Sequence, residues 1–155
     1  LDELYTAVKG GGAYRNGLPI HVSATTDLQD ALLVTGFPYD RARLVKPLMT
    51  ILAECIKESR GILRLGAEPL DFAMIAAGHL DGFYEYGLKP WDMAAGVLLV
   101  REAGGTVTEF DPEKSFDLFN KRCVATNGKI HRELLDAICI EGGALTFSDA
   151  SPEAP

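Results

Sequence analysis

Positive charge is in short supply here: 15 lysines and arginines stand against 22 aspartates and glutamates, a formal net charge of −7. That balance excludes a general nucleic-acid partner, which needs a basic surface to neutralise phosphates. Cysteine is scarce too. Cys55, Cys123 and Cys139 are odd in number and share no metal-type spacing. This excludes a disulfide framework and a thiolate zinc site, and leaves three small apolar residues suited to a reducing compartment. No apolar run approaches the roughly 18 to 20 residues of a bilayer span, and no secretory leader is read at the start. No membrane partner is expected, and the cytoplasm is the expected location. Histidine offers little: His21, His79 and His131 have no second ligand-type residue at helical or hairpin spacing and read as surface or capping positions. The triplet Gly10-Gly11-Gly12 lacks the Lys-Ser/Thr that follows a phosphate-binding loop, so it reads as a plain turn.

What is present is apolar material enough for one core, 47% of 155 residues. Leu1 to Val8 reads as the return strand of a hairpin whose partner is missing, so the sequence is expected to be a piece of a longer chain. Asn16-Gly17 is a tight-turn signal, and Leu18 to Val22 resumes strand character. After a polar connector, Ala31 to Gly36 reads as a buried strand. Leu44, Leu48, Ile51, Leu52, Cys55 and Ile56 then recur at helical spacing between Asp40 and Ser59, with Arg41 and Arg43 at a solvated start. Ile62 to Leu65 is a further short strand. Gly66-Ala67-Glu68-Pro69 opens a helix expected to carry Leu70, Ala73, Met74 and Ala77 inward. A glycine ahead of a helix N-terminus puts backbone N–H groups where an anion can sit, and Glu68 suits the first turn. Thr106 to Phe110 and Cys123 to Thr126 read as strands, and Ile130, Leu134, Leu135 and Ile138 form one stripe of a last helix. Residues 1–140 are expected to form the domain and 141–155 a disordered tail. Strands alternating with helices predict a layered α/β sandwich.

The segment from Gly82 to Gly105 is the most informative. Asp81, Phe83 and Glu85 share one side of an aromatic strand, which leads through Gly87 and Lys89-Pro90 to Asp92 at the start of an apolar helix. In open α/β sheets functional groups collect where a strand's carboxyl end gives way to a helix. Asp92 can cap that helix or bind a cation, and Asp81 and Glu85 can be plain strand acids or contacts to a ligand.

Trp91-Asp92, Ala94-Ala95 and Glu102-Ala103-Gly104-Gly105 keep every fixed element, at its spacing, of the pattern W-D-x-A-A-x(6)-E-A-G-G. On these residues the sequence resembles the inositol monophosphatase family. Tyr14-Arg15-Asn16-Gly17 is similar to that family's GA-x-x-NG hairpin, Gly66-Ala67 stands where it has G-[ST]-A, and Asp81 to Glu85 matches the strand before the signature. The resemblance implies an α-β-α-β-α sandwich of the inositol monophosphatase/sugar phosphatase type, here its C-terminal portion only. It implies a Mg²⁺-dependent, lithium-sensitive phosphoric monoester hydrolase acting on a small phosphorylated polyol or sugar, most typically inositol 1-phosphate, and commonly a homodimer. Asp92 would be a metal ligand; Glu85, Gly66, Ala67 and Asp81 would contact the substrate. The sequence departs from the family at Ala67, which lacks the usual hydroxyl, and at Glu68, which adds a charge.

The family's Asp-Pro-[IL]-Asp-Gly-Thr segment, which supplies most of its metal ligands, is absent, Asp111-Pro112-Glu113 being the nearest string. One carboxylate cannot hold two or three Mg²⁺ ions, so the 155 residues alone are expected to be inactive. Fructose-1,6-bisphosphatase-like and nucleotide 3′-phosphatase activities stay open, as does a non-catalytic module used for protein association.

Overall fold

The computed structural model describes residues 2–39 and 41–141. Apart from Glu141, the expected tail lies outside the described residues. The chain opens with β1 (Tyr5–Val8), β2 (Gly12–Arg15) and β3 (Leu18–Pro19), an antiparallel sheet in that order. Asn16 at φ 51° and Gly17 at φ 79° make the tight turn between β2 and β3, where left-handed backbone suits these two residue types. β3 is shorter than the Leu18–Val22 run suggests. The Ile20 N–H still donates to the carbonyl of Ala13 at 3.0 Å, and beyond it the backbone turns to the end of the signature segment, where the N–H of Val22 donates to the carbonyl of Ala103.

A second sheet follows from β4 (Leu32–Thr35), β5 (Gly61–Leu63), β6 (Gly82–Tyr86), β7 (Thr106–Thr108) and β8 (Arg122–Thr126), in the order β5-β4-β6-β8-β7. β4 runs parallel to β5 and β6, whereas β8 is antiparallel to β6 and β7. Four α-helices lie among the described residues: α1 (Arg41–Glu58), α2 (Glu68–Ala76), α3 (Pro90–Glu102) and α4 (His131–Ile138). α1 runs through Pro47 at the loss of one backbone donor.

Strand alternation splits the core. Val34, Phe83, Cys123 and Ala125 face one way and pack with α2, α3, Ala13 and Ile20. Leu33, Tyr84 and Val124 face the other way, against α1 and α4. The layers are therefore β-α-β-α, with α2 and α3 held between the two sheets. This double cover explains why α2 buries more than one stripe. Ala73 is inward as its spacing predicts, but Phe72, Ile75 and Ala76 are fully enclosed where Leu70, Met74 and Ala77 are only partly so. α2 and α3 approach closely at Gly96, where a Cβ would lie 2.4 Å from Cγ of Phe72. Any larger residue there would overpack the contact.

The glycine turn after β1 holds an anion, but an internal one. Glu102, at the end of α3, accepts from the N–H groups of Gly10 (2.8 Å) and Gly12 (2.9 Å), which fastens the hairpin to the helix. Those same bonds hold the Glu102 carboxyl below its usual range.

His131 corrects a reading made from spacing alone. It is 8% exposed, with Nε2 2.9 Å from Oγ1 of Thr108 and Nδ1 2.9 Å from Oγ1 of Thr126. Burial depresses its imidazole to about 4. The fold thus favours neutral His131, so its contribution is complete above the free imidazole value near 6.5 and is lost as pH falls through about 4. In urea titrations the stability of the wild type relative to a His131→Gln variant should therefore drop over that window by on the order of 3 kcal/mol, whatever the carboxyl groups contribute to both. An identical slope in the two proteins would remove His131 as its source.

Candidate active site

Because β4, β5 and β6 are parallel, their carboxyl ends lie on one edge of the sheet, and the chain leaves them into α1, α2 and α3 respectively. Three helix N-termini and three strand ends therefore share one side of the molecule, the usual place for a ligand in an open α/β sheet. The acids gather there. Glu68 and Asp71 stand in the first turn of α2, Asp92 in the first turn of α3, and Glu85 near the end of β6.

Glu85 is 4% exposed and Asp71 is 1% exposed, and each keeps a buried oxygen, Oε2 and Oδ1, with no hydrogen-bond partner among the described residues. Burial pushes the Glu85 carboxyl up to about 8, and Glu68, Asp71 and Asp92 add to that push while Arg64 opposes it. Asp71 is raised to about 7 by burial and by Glu68. Room for Glu85 exists only because residue 36 is glycine: a Cβ there would stand 2.1 Å from Oε2.

Asp92 does what a capping acid does, its Oδ2 accepting the Lys89 N–H at 2.9 Å. A carboxylate has a second oxygen, so this bond leaves Asp92 able to bind elsewhere. Gly66, at φ +82°, turns the chain ahead of α2, and Ala67 at the helix start makes no side-chain cap. Both are exposed at the same edge as Glu85 and Asp92.

Asp81 lies elsewhere. It precedes β6, so the length of that strand, roughly 13 Å over four residues, separates it from Glu85. One of its oxygens accepts from Ser23 Oγ (2.5 Å) and the other from the Leu32 N–H (2.7 Å). Asn127 joins this network through its bonds to Ser23 Oγ (2.9 Å) and to the carbonyl of Thr25 (2.8 Å). Both Asp81 oxygens are thus committed to holding strands together.

Oxygen donors with unmatched lone pairs are the right chemistry for a hard cation such as Mg²⁺. They are too few. Among the described residues no three His, Cys, Asp or Glu side chains stand close enough to hold a metal ion. The edge can contribute ligands to such a centre but does not contain one.

Two members of the edge escaped the sequence reading. Asp71 carries a legible signal, an acid set between Leu70 and Phe72 in an otherwise apolar helix, where the spacing demands a core residue. Arg64 carries none, since it follows a three-residue strand and reads as an ordinary surface cation.

The model of the family described as "Inositol monophosphatase family" matches residues 1–141. The chain is 46% identical over 134 residues to "Phosphatase IMPL1, chloroplastic" of Arabidopsis thaliana, covering 86% of this chain and 36% of that one. It is 44% identical over 137 residues to "Inositol-1-monophosphatase" of Synechocystis, covering 88% of this chain and 47% of that one. The solved structure of inositol monophosphatase from Anabaena (Nostoc) superposes with a TM-score of 0.84 at 43% identity, over 88% of this chain and 54% of that one. The chain thus spans about half the length, or less, of these relatives. With the family model matching nearly the whole chain, and relatives and a solved structure of that kind at 43–46% identity, the chain belongs to the inositol monophosphatase family.

Proposed function

We propose that this chain supplies the substrate-side half of the active site of a Mg²⁺-dependent phosphomonoesterase acting on a small polyol or sugar phosphate, with inositol 1-phosphate the leading candidate. The observation that carries the reading is the gathering of Glu68, Asp71, Glu85 and Asp92 at one sheet edge, with buried oxygens of Asp71 and Glu85 left without donors. Leaving such groups unmatched is costly unless a ligand completes them. The name of the Synechocystis relative supports the substrate assignment.

In this reading Asp92 ligates the ion through an oxygen not used in capping, and the remaining ligands come from outside the described residues. When bound, the metal neutralises phosphoryl charge and lowers the pKa of an attacking water. The chain's own residues position the other end of the substrate. Glu85, kept straight by Gly36, accepts a substrate hydroxyl, and the backbone at Gly66 and Ala67 lines the same space. Because Ala67 lacks a side-chain oxygen, this contact is made through backbone alone. Asp81 is left out of the site.

Asp92→Asn, in the protein as the gene encodes it, should keep the helix cap and the melting temperature, because Asn also accepts an N–H. Mg²⁺-dependent phosphate release from inositol 1-phosphate should drop by roughly 100-fold or more. Undiminished turnover would sink the ligand assignment. Gly36→Ala should displace the Glu85 carboxylate and raise KM for inositol 1-phosphate by about 10-fold or more, given one lost charge-assisted contact. An unchanged KM would place Glu85 away from the substrate.

For partners, we read a homodimer. α1 turns Val45, Met49 and Ile56 to solvent at 55%, 44% and 61% exposure, an apolar surface that a second copy can cover. Sedimentation velocity should show a dimer that Met49→Lys weakens; a monomer at micromolar concentration would refute it. Among the described residues no helix is long and apolar enough to cross a membrane, and all three cysteines are free, which suits a cytoplasmic setting.

A further inference from the structure

Three of the four acids at the ligand edge gather around the start of α2. Glu68 opens the helix directly after the Gly66-Ala67 turn, and Asp71 follows it at i+3, so the two are neighbours on the helix surface, about 5–6 Å apart at Cβ. The next residue, Phe72, packs its ring 4.9 Å from that of Phe83, centroid to centroid. Glu85 lies on the same side of β6 as Phe83 and one pleat nearer the strand's carboxyl end. The first turns of α2 therefore stand over Glu85. Among the charges that act on Glu85, Glu68 is the strongest, ahead of Asp71, Arg64 and Asp92.

The fold gives these acids little in return. Asp71 and Glu85 are more than nine-tenths buried, each with an oxygen that no donor among the described residues reaches. None of the three takes part in an ion pair there. Arg64, the opposing charge, is exposed and has its guanidinium carbon over the Phe37 ring at 5.8 Å. Glu68 is also a point at which the sequence departs from its family, so the added charge is a property of this chain.

Such a cluster calls for positive charge, and a metal ion is the wrong kind. Among the described residues no three ligand side chains stand close enough to hold one, and the ion of the proposed reaction belongs with Asp92. A hydroxyl has a single O–H to donate and leaves the other acids unanswered. An ammonium group carries three N–H donors on one atom, and it needs acceptors at hydrogen-bond distance, not a closed shell of oxygens.

We propose that Glu68, with Asp71 and Glu85, forms a subsite for an ammonium group on the substrate frame, so that an amino-sugar or amino-polyol phosphate is preferred over its hydroxyl counterpart. The inference rests on the phosphomonoesterase reading above and narrows its substrate class. The phosphate goes to the metal at Asp92, the frame lies along the backbone of Gly66 and Ala67, and the ammonium nitrogen donates to Glu68 and Glu85. Its charge also lets Asp71 and Glu85 ionise, which burial otherwise opposes.

The test is steady-state phosphate release with Mg²⁺ by the protein as the gene encodes it, at a pH where the amine is protonated. The substrates are two matched pairs, glucosamine 6-phosphate with glucose 6-phosphate and glucosamine 1-phosphate with glucose 1-phosphate, and inositol 1-phosphate. Within a pair only one amino group replaces one hydroxyl. In at least one pair the amino compound should exceed its partner in kcat/KM by about 10-fold, the margin of a charge-assisted contact over a neutral one. Glu68→Gln keeps the shape of the side chain and removes its charge, and it should bring that ratio toward unity, mainly by raising KM for the amino compound. Glu68→Asp should keep part of the ratio. A ratio unchanged in Glu68→Gln overturns the proposal, as does a wild type with no preference for the amino compound in either pair, or one that hydrolyses inositol 1-phosphate and neither pair. Each of these leaves the phosphomonoesterase reading standing. No phosphate released from any compound overturns that reading, and this one with it.

Discussion

The register between β4 and β6 is the constraint on which the rest of the molecule hangs. Leu33 pairs with Gly82, Val34 with Phe83 and Thr35 with Tyr84. At one end Asp81 fixes the pairing by accepting the Leu32 N–H, and at the other Thr35 Oγ1 donates to the Tyr84 carbonyl at 2.7 Å. A slip by one residue would turn Phe83 out of the cluster it shares with Phe72 and turn Tyr84 away from the one it shares with Leu33. It would also move Gly36 off Glu85. Thus Asp81, remote from the ligand edge, helps decide where Glu85 stands.

That edge is built against the interests of stability. Two nearly fully buried acids, each with an unmatched oxygen, face two more acids, with Arg64 as the opposing charge on Glu85. In the absence of a ligand the fold meets the cost by holding protons, which is why Asp71 and Glu85 titrate near 7 and 8 and not in the usual carboxylate range. In the proposed function, a cation or a substrate hydroxyl brought to the edge would replace those protons or satisfy those oxygens. Strain of this kind concentrates where binding will relieve it.

How much of this could be read from the sequence follows from what each residue type reveals locally. α3 and its signature were legible because proline, a capping acid and a terminal glycine pair mark both ends of an apolar segment. Asn16-Gly17 and the amphipathic α1 were legible for similar reasons. Parallel pairing leaves no such mark, since partners sit far apart in the chain, so the approach of Gly36 to Glu85 and the bonds that hold Asp81 at the other end of β6 emerge only in three dimensions. His131 was misread because its partners, Thr108 and Thr126, come from two strands whose adjacency spacing does not show. The buried face of α2 was only partly legible. A helix covered on two sides has no single stripe to read.

The signature helix carries Asp92 in its first turn, capping its own start, and is fastened at its far end by Glu102 in the glycine turn of the hairpin. Ten residues separate the two acids, so they stand about 15 Å apart along the axis. One residue added between them would rotate Asp92 by about 100° relative to Glu102, so that the helix could keep the hairpin bonds only by turning Asp92 away from its edge. Gly96, between them, fixes how near α2 can lie. The spacing of W-D-x-A-A-x(6)-E-A-G-G is therefore a measured length, a strut cut to reach from the carboxyl edge of the inner sheet to the outer sheet.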